Sequence, residues 1–329
     1  MCHRRPTSSP PSPPRDRADR AVVAQCADAL RAQDPPGSRS IHPMRLSLRA
    51  LCLLVGACSS PMSQQGLDAG GTPDAGDDAD ASVGADGPAT SWSLPPRNAG
   101  LDYQLGGAYA PPAGVMILSR DRGDAPAAGL YNICYVNGFQ IQESEASWWL
   151  ANHDDLILKD ASGEPVIDPD WNEMLIDTST AAKRTAVAAI VGDWIRGCKT
   201  SGFDAVEIDN LDTFSRSGGR LSEANNVAQM RLFSDVSHGE GMAIAQKNSA
   251  EIVGRRADLG TDFVVSEECN RYSECDVYAG AYGDHVLMIE YRTQDYNAGC
   301  AAYGSRFSIV LRDLNLVPPG SGAYVFDGC

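Results

Sequence analysis

Histidine is scarce in this sequence: there are five in 329 residues, and only His153, His238 and His285 lie beyond residue 60. No H-x-H or H-E-x-x-H spacing occurs, which argues against a histidine-built metal centre. There is no C-x-x-C pair for zinc, no G-x-S-x-G elbow for a serine nucleophile and no glycine-rich nucleotide loop after any apolar run. Positive charge is also sparse, with 27 Lys and Arg against 43 Asp and Glu and a formal net charge of −16. Phosphate binding needs clustered cations, so no nucleic-acid partner is expected. No apolar run approaches the roughly 18 residues that a membrane-spanning helix requires. A monomer without cofactor or metal is the expectation these absences leave.

What is present divides the chain into unequal parts. Residues 1–43 hold eight of the twenty prolines and no sustained apolar period. Such a segment buries too little surface to offset its ordering entropy and is expected to be disordered. Met44 opens a different text, MRLSLRALCLLVGACSS, with Arg45 and Arg49, a short apolar stretch from Leu51 to Val55, and small residues before Cys58. This resembles a bacterial lipoprotein signal, in which the cysteine is lipidated and becomes the mature N-terminus. Translation is expected to start at Met44. Residues 59–97 are rich in Asp, Ala and Gly, with six acids against one Arg, and read as a flexible, solvated linker. The expectation is an exported protein, either a cell-envelope lipoprotein held to the membrane only through Cys58 or an extracellular one. Up to Cys58 the chain carries 9 basic and 4 acidic residues, so its excess cancels that of the linker and the whole −16 belongs to residues 98–329.

In 98–329, short runs rich in Val, Ile and aromatics alternate with longer segments. The runs are 102–105, 115–119, 131–137, 173–177, 204–209, 242–247, 263–267 and 285–290. Residues 181–199 place Val187, Ile190, Val191, Trp194, Ile195 and Cys198 at helical spacing, with Thr180 as N-cap and Gly202 just past the end. Residues 222–237 and 249–259 read as helices in the same way. Eight strands separated by helices predict a (β/α)8 TIM barrel as a single catalytic domain. A doubly wound open sheet is the competing arrangement, but its nucleotide loop is missing.

Several runs finish in a polar side chain: Asn137, Asp177, Asp209, Lys247, Glu267 and Glu290. In a parallel barrel the C-terminal strand ends share one rim, where loops build the active site. Asp177 precedes Thr178-Ser179-Thr180 and suits a helix cap instead. Alternation along 204–209 sets Ala205, Glu207 and Asp209 on one face and Val206 and Ile208 on the other. The apolar pair should face helices, so Glu207 and Asp209 should point inward, where Lys247 from the next run meets one of them. A buried Lys–Glu pair without chemistry is an ordinary outcome for Glu207. Of Glu267 and Glu268, adjacent on the chain, one should enter the site.

The segments ICYVNGF (133–139), SGFDAVEIDNLDTF (201–214), AIAQKNS (243–249), VVSEECNRYSEC (264–275) and MIEY (288–291) resemble the glycoside hydrolase family of endo-α-1,4-polygalactosaminidases. The resemblance spans nearly all of 98–329 and implies a (β/α)8 barrel cleaving α-1,4-linked galactosamine polymers. It implies Asp209, on the fifth run, and Glu267, on the seventh, as the catalytic residues, ahead of Glu268. Residues 119–122 read SRDR where many members carry an Ile-Asp-Leu-type ending, so no role carries over to Asp121. Glycosidic cleavage needs one carboxylic acid to protonate the leaving oxygen and one carboxylate as base or nucleophile, which suits this pair. Tyr135, Asn137, Asn210, Asp212, Lys247, Asn248, Glu290 and Tyr291 are the candidate substrate contacts for an amino-sugar polysaccharide. Trp148 and Trp149 are further candidates for stacking on sugar faces, or for packing beneath the loops.

Six cysteines fall in 98–329, an even number that suits disulfides in an exported protein. Cys269–Cys275 would close a short loop after Glu267, and Cys300–Cys329 would pin the C-terminus. Cys134 and Cys198 read as buried free thiols. A catalytically idle barrel that binds polysaccharide or scaffolds the envelope is the alternative to the enzyme.

Overall fold

A computed structural model describes residues 92–329. Residues 1–43, the signal-like segment ending at Cys58 and most of the linker lie outside the described residues. Eight parallel strands form a barrel: β1 (Gly100–Gln104), β2 (Val115–Asp121), β3 (Tyr131–Asn137), β7 (Ala205–Asp209), β8 (Ala243–Lys247), β9 (Phe263–Glu267), β10 (Val286–Glu290) and β11 (Ser308–Arg312). They neighbour one another in that order, each parallel to the next. At the seam, Ala99 N donates to Ser308 Oγ (3.0 Å), and Arg312 of β11 forms an ion pair with Asp102 of β1 (2.7 Å). Strand β12 (Phe326–Gly328) adds antiparallel to β11.

Two strand assignments are corrected. The run 173–177 is not a barrel strand. Its Glu173–Leu175 is β6, the centre of a small antiparallel sheet with β4 (Gln140–Ile141) and β5 (Ile167–Asp168). The eighth barrel strand is Ser308–Arg312 instead, so Asp209 and Glu267 end the fourth and sixth barrel strands rather than the fifth and seventh. An apolar run reports that both faces are covered, not which sheet covers them.

The alternation behaves as expected. Leu101, Ile117, Ile133, Ala205, Ala243, Ala245, Phe263, Val265, Leu287, Ile289 and Val310 fill the lumen. The intervening Cys134, Val136, Val206, Ile208 and Ile244 pack under helices. The small side chains of Ala205, Ala243 and Ala245 leave lumen volume for the bulkier Tyr103 and Phe263. Helix Ala181–Ser201 begins where Thr180 Oγ1 accepts from Lys183 N (3.2 Å) and ends at Gly202, whose φ of 97° is open to glycine at little cost. Helix Glu223–Gly239 is opened by a capping box between Ser222 and Asn225. The packed body begins before residue 98: Trp92 stacks on His238 with centroids 3.8 Å apart.

All six cysteines of 98–329 are paired: Cys134–Cys198, Cys269–Cys275 and Cys300–Cys329. The reading of Cys134 and Cys198 as free thiols is therefore corrected. The outward face of β3 and the buried face of helix Ala181–Ser201 meet, which brings the two Cα atoms to 6.1 Å. A bridge spanning 64 residues is expected to contribute about 4 kcal/mol through loss of denatured-state freedom. The double variant Cys134→Ser/Cys198→Ser should lower the denaturation midpoint accordingly, with folding retained; an unchanged midpoint would show that the bridge adds nothing.

Candidate active site

The lumen turns polar at the C-terminal rim. Lys247 Nζ lies at its centre, 3.2 Å from Glu207 Oε1, 3.4 Å from Asp209 Oδ1 and 3.1 Å from Glu267 Oε2, and its side chain is only 2% exposed. It also donates to the Tyr103 hydroxyl (2.9 Å). Burial opposes its charge, but the carboxylates of Asp209, Glu267 and Glu207 outweigh that and hold the ammonium well above the usual lysine range. Lys247 is a fixed cation in this site.

Each carboxylate has its own donors. Glu207, fully buried, accepts from Tyr103 OH (2.6 Å) and Ser119 Oγ (2.9 Å). Desolvation still raises its pKa, only partly countered by Lys247 and those hydrogen bonds. Asp209 Oδ2 accepts from Tyr135 OH (2.7 Å), and Oδ1 accepts from Asn210 N (2.9 Å). Glu267 accepts from Tyr291 OH and from Asn248 Nδ2 (3.2 Å), while Asn248 Oδ1 accepts from Glu267 N (2.8 Å). Burial and the adjacent carboxylates push the phenols of Tyr103, Tyr135 and Tyr291 upward, which keeps them protonated donors. Glu207 is wholly enclosed, whereas Asp209 and Glu267 keep 21% and 27% of their side chains exposed. Of the three carboxylates around the lysine, only these two reach solvent.

The backbone leaves the strands abruptly at these positions. Asn210, Asn248 and Glu268, each following a site residue, have φ of 66°, 46° and 57°. Asparagine tolerates this left-handed region, whereas glutamate adopts it at some cost, and such strain gathers at functional sites. The turn at Glu268 sends its side chain to Arg271 (2.7 Å), so Glu267 alone enters the cluster.

Of the sequence-predicted residues, Tyr135, Asp209, Lys247, Asn248, Glu267 and Tyr291 come together around the lysine. Asn137, opposite Asp209 in register, bonds Asn210 (3.1 Å) and joins the rim. Asp212 does not reach the cluster and pairs with Arg216, which also holds Asp168 (2.6 Å). Glu290 does not reach it either. It shares the outward face of β10 with Met288, and its Oε1 accepts from Asn270 N (2.9 Å). Asp177 pairs with Lys183 at a helix start, as its cap-like context suggested. Asp121 caps Gly123 N (2.7 Å). Trp149 is buried and Trp148 is 45% exposed. Tyr103, Ser119 and Glu173 were missed by sequence reasoning. Their partners are separated from them by 104, 88 and 36 residues, and no local pattern marks them.

Glu290 carries a titration consequence. Its Oε2 is buried with no partner among the described residues, and desolvation pushes its pKa up to about 7. The folded state therefore holds a proton that the unfolded state releases near pH 4.5, so stability falls as pH rises from about 4.5 to about 7. Glu290→Gln should be stabilising by about 2–3 kcal/mol at pH 8 and near neutral at pH 4.5. Equal melting shifts at both pH values would refute this.

A closed parallel barrel with carboxylates gathered at its C-terminal rim places this site where barrel enzymes carry theirs. The model of glycoside-hydrolase family GH114 matches residues 82–329, and the chain belongs to that family of glycoside hydrolases. It is similar to the crystal structure of Aspergillus fumigatus Ega3 in complex with galactosamine, at 22% identity and a TM-score of 0.58, covering 74% of this chain and 100% of that one. The glycoside hydrolase domain of PelA from Pseudomonas aeruginosa is similar at 13% identity and a TM-score of 0.45, covering 68% of this chain and 97% of that one. The likeness to Ega3 supports the barrel. No curated protein matches the chain by sequence.

Proposed function

We propose that the enzyme cleaves α-1,4-linked galactosamine or N-acetylgalactosamine polysaccharide, with Asp209 and Glu267 as the catalytic pair. The observation that carries this reading is the lysine they share. Lys247 Nζ holds Asp209 Oδ1 at 3.4 Å and Glu267 Oε2 at 3.1 Å, and the separation of those two oxygens cannot exceed the sum of the two distances. The two lysine-facing oxygens are thus close enough for the roughly 5–5.5 Å separation of a retaining pair. The spacing favours retention. One carboxylate attacks the anomeric carbon while the other protonates the departing oxygen, and the second then removes a proton from the water that releases the sugar. Tyr135 and Tyr291 hold the two carboxylates in place, and Asn137, Asn210 and Asn248 form the polar rim around them.

Incubation of the full chain with deacetylated and with N-acetylated α-1,4-galactosaminan tests the reading. Oligosaccharide release is the expected result, and no cleavage of either polymer would sink it. The domain's charge of −16 should attract a cationic polymer. KM for the deacetylated polymer should therefore rise between about 0.05 and about 0.5 M salt, while that for the acetylated polymer stays flat. Parallel changes for both would refute the electrostatic contribution.

Export and anchoring through Cys58 belong to the same proposal, supported by the signal-like residues 44–58 and the spacer after them. Among the described residues no helix is long and apolar enough to cross a membrane. Metabolic labelling with a palmitate analogue should mark the wild type and not Cys58→Ser. Equal labelling of both would refute the anchor.

A further inference from the structure

Glu290 closes β10 and Tyr291 follows it, and both bear on Glu267 from opposite sides of the strand. Tyr291 packs against the lumen cluster, and its hydroxyl donates to Glu267 Oε1. Glu290 turns outward and is fully enclosed, and its Oε1 accepts from Asn270 N (2.9 Å). Asn270 lies three residues beyond Glu267, in the short helix Cys269–Tyr272 that follows β9. Between them Glu268 takes a left-handed turn, φ 57°, and its N–H donates to Ile289 O (2.7 Å). The end of β10 thus grips this segment at three points: the Glu267 carboxylate, the backbone just after it, and the backbone two residues further on.

The surroundings leave the short helix little freedom to adjust. Asn270 Nδ2 donates to Asp295 O of helix Thr293–Tyr303 (3.0 Å), and Cys269–Cys275 closes the loop beyond it. In helix Thr293–Tyr303, Gly299 is packed so closely that a Cβ there would come within 2.4 Å of Met288 Cε, with Asn270 also beside it. A shortened side chain at 290 would therefore leave a gap that the helix cannot close by moving inward. Glu290 Oε2 has no partner among the described residues. A carboxyl buried for a single hydrogen bond is a poor choice for stability on a face that otherwise carries Met288, so its value lies in what that bond holds.

We infer that Glu290 is a positioning residue for Glu267: through Asn270 N it fixes the turn at Glu268, and so sets the direction in which the Glu267 carboxylate meets the substrate. This rests on the reading of Glu267 as one of the catalytic pair. Glu290 itself touches neither the lysine cluster nor a sugar. Misplacing a reacting group by about 1 Å can cost about a hundredfold in rate. The residues of the polar rim that would hold the sugar are untouched by such a shift, so the effect belongs in kcat rather than in KM.

The test compares Glu290→Asp with Glu290→Gln in the full chain. Aspartate keeps a carboxyl but withdraws it by one carbon, about 1.5 Å, out of reach of Asn270 N. Glutamine keeps the length and an oxygen to accept that N–H. Glu290→Asp should lower kcat on α-1,4-galactosaminan about 10- to 100-fold with KM within about twofold of wild type, and Glu290→Gln should retain most of the wild-type kcat. In a Glu267→Gln background Glu290→Asp should cost nothing further, because a residue that acts only through Glu267 then has nothing to position. Wild-type kcat in Glu290→Asp, an equal loss in Glu290→Gln, or the same loss in both backgrounds overturns the inference and leaves the carboxylate-pair reading standing. A wild type that cleaves no galactosaminan, or a fully active Glu267→Gln, overturns both. Should Glu290→Asp fail to fold, Glu290→Met, of similar volume and with no oxygen for Asn270 N, takes its place with the same expectations.

Discussion

Replacing Asp209 by Asn should reduce oligosaccharide release at least about a thousandfold while leaving the barrel intact. Asparagine keeps the size of the side chain; its one oxygen can accept from Asn210 N as Oδ1 does, while its amide donates to the Tyr135 hydroxyl that now bonds Oδ2. What it removes is the negative charge, and neither nucleophilic attack nor proton transfer proceeds through an amide. Lys247 still has Glu207 and Glu267 as partners after the change, so the cluster loses one of three anions rather than its organisation. Glu267→Gln should behave similarly, because Tyr291 and Asn248 continue to hold the side chain. The two variants differ when azide is added. The one that lost the nucleophile should regain turnover as a glycosyl azide of inverted configuration, and the one that lost only the acid/base should give the retained azide. Residual activity above about a tenth of wild type in either variant would remove that residue from the mechanism.

The second large effect is on stability. Lys247→Met should destabilise the enzyme by about 3–5 kcal/mol near pH 8, because Glu207 would be left as a buried charge without its cation. For a domain of this size that corresponds to a fall in Tm of roughly 10 °C. The effect has a definite pH sign. Glu207 is raised by desolvation even with Lys247 present, and without the lysine its proton is held still more strongly. The folded state then binds more protons than the unfolded one, so stability falls as pH rises above the ordinary carboxylate range. At pH 5 the loss should be much smaller. Adding Glu207→Gln should recover most of the stability at pH 8. A Lys247→Met variant as stable as wild type at pH 8 would mean that the lysine does not compensate the buried carboxylate.

Much of this was legible from the residues. Alternation alone places Glu207, Asp209 and Lys247 inside a barrel, since an apolar pair such as Val206 and Ile208 has to face helices. Thr180 and Gly202 marked both ends of the 21-residue helix. What failed did so for identifiable reasons. Residues 173–177 have the composition of a covered strand, and nothing local distinguishes a barrel neighbour from an inserted hairpin. The same period-two rule, applied to β10, would have turned Glu290 outward with Met288. Cys134 and Cys198 meet only because a strand and a helix 64 residues apart pack face to face. Tyr103 and Ser119 reach Glu207 across the lumen, and contacts across a closed barrel leave no trace in linear spacing.

Proton NMR of the first reducing ends released from α-1,4-galactosaminan tests the central claim most directly, because it reads both the cleavage and the spacing of the pair. Asp209 and Glu267, drawn together by Lys247, predict α-configured ends that mutarotate only afterwards. Ends released first in the β configuration, or no reducing ends at all, would contradict it.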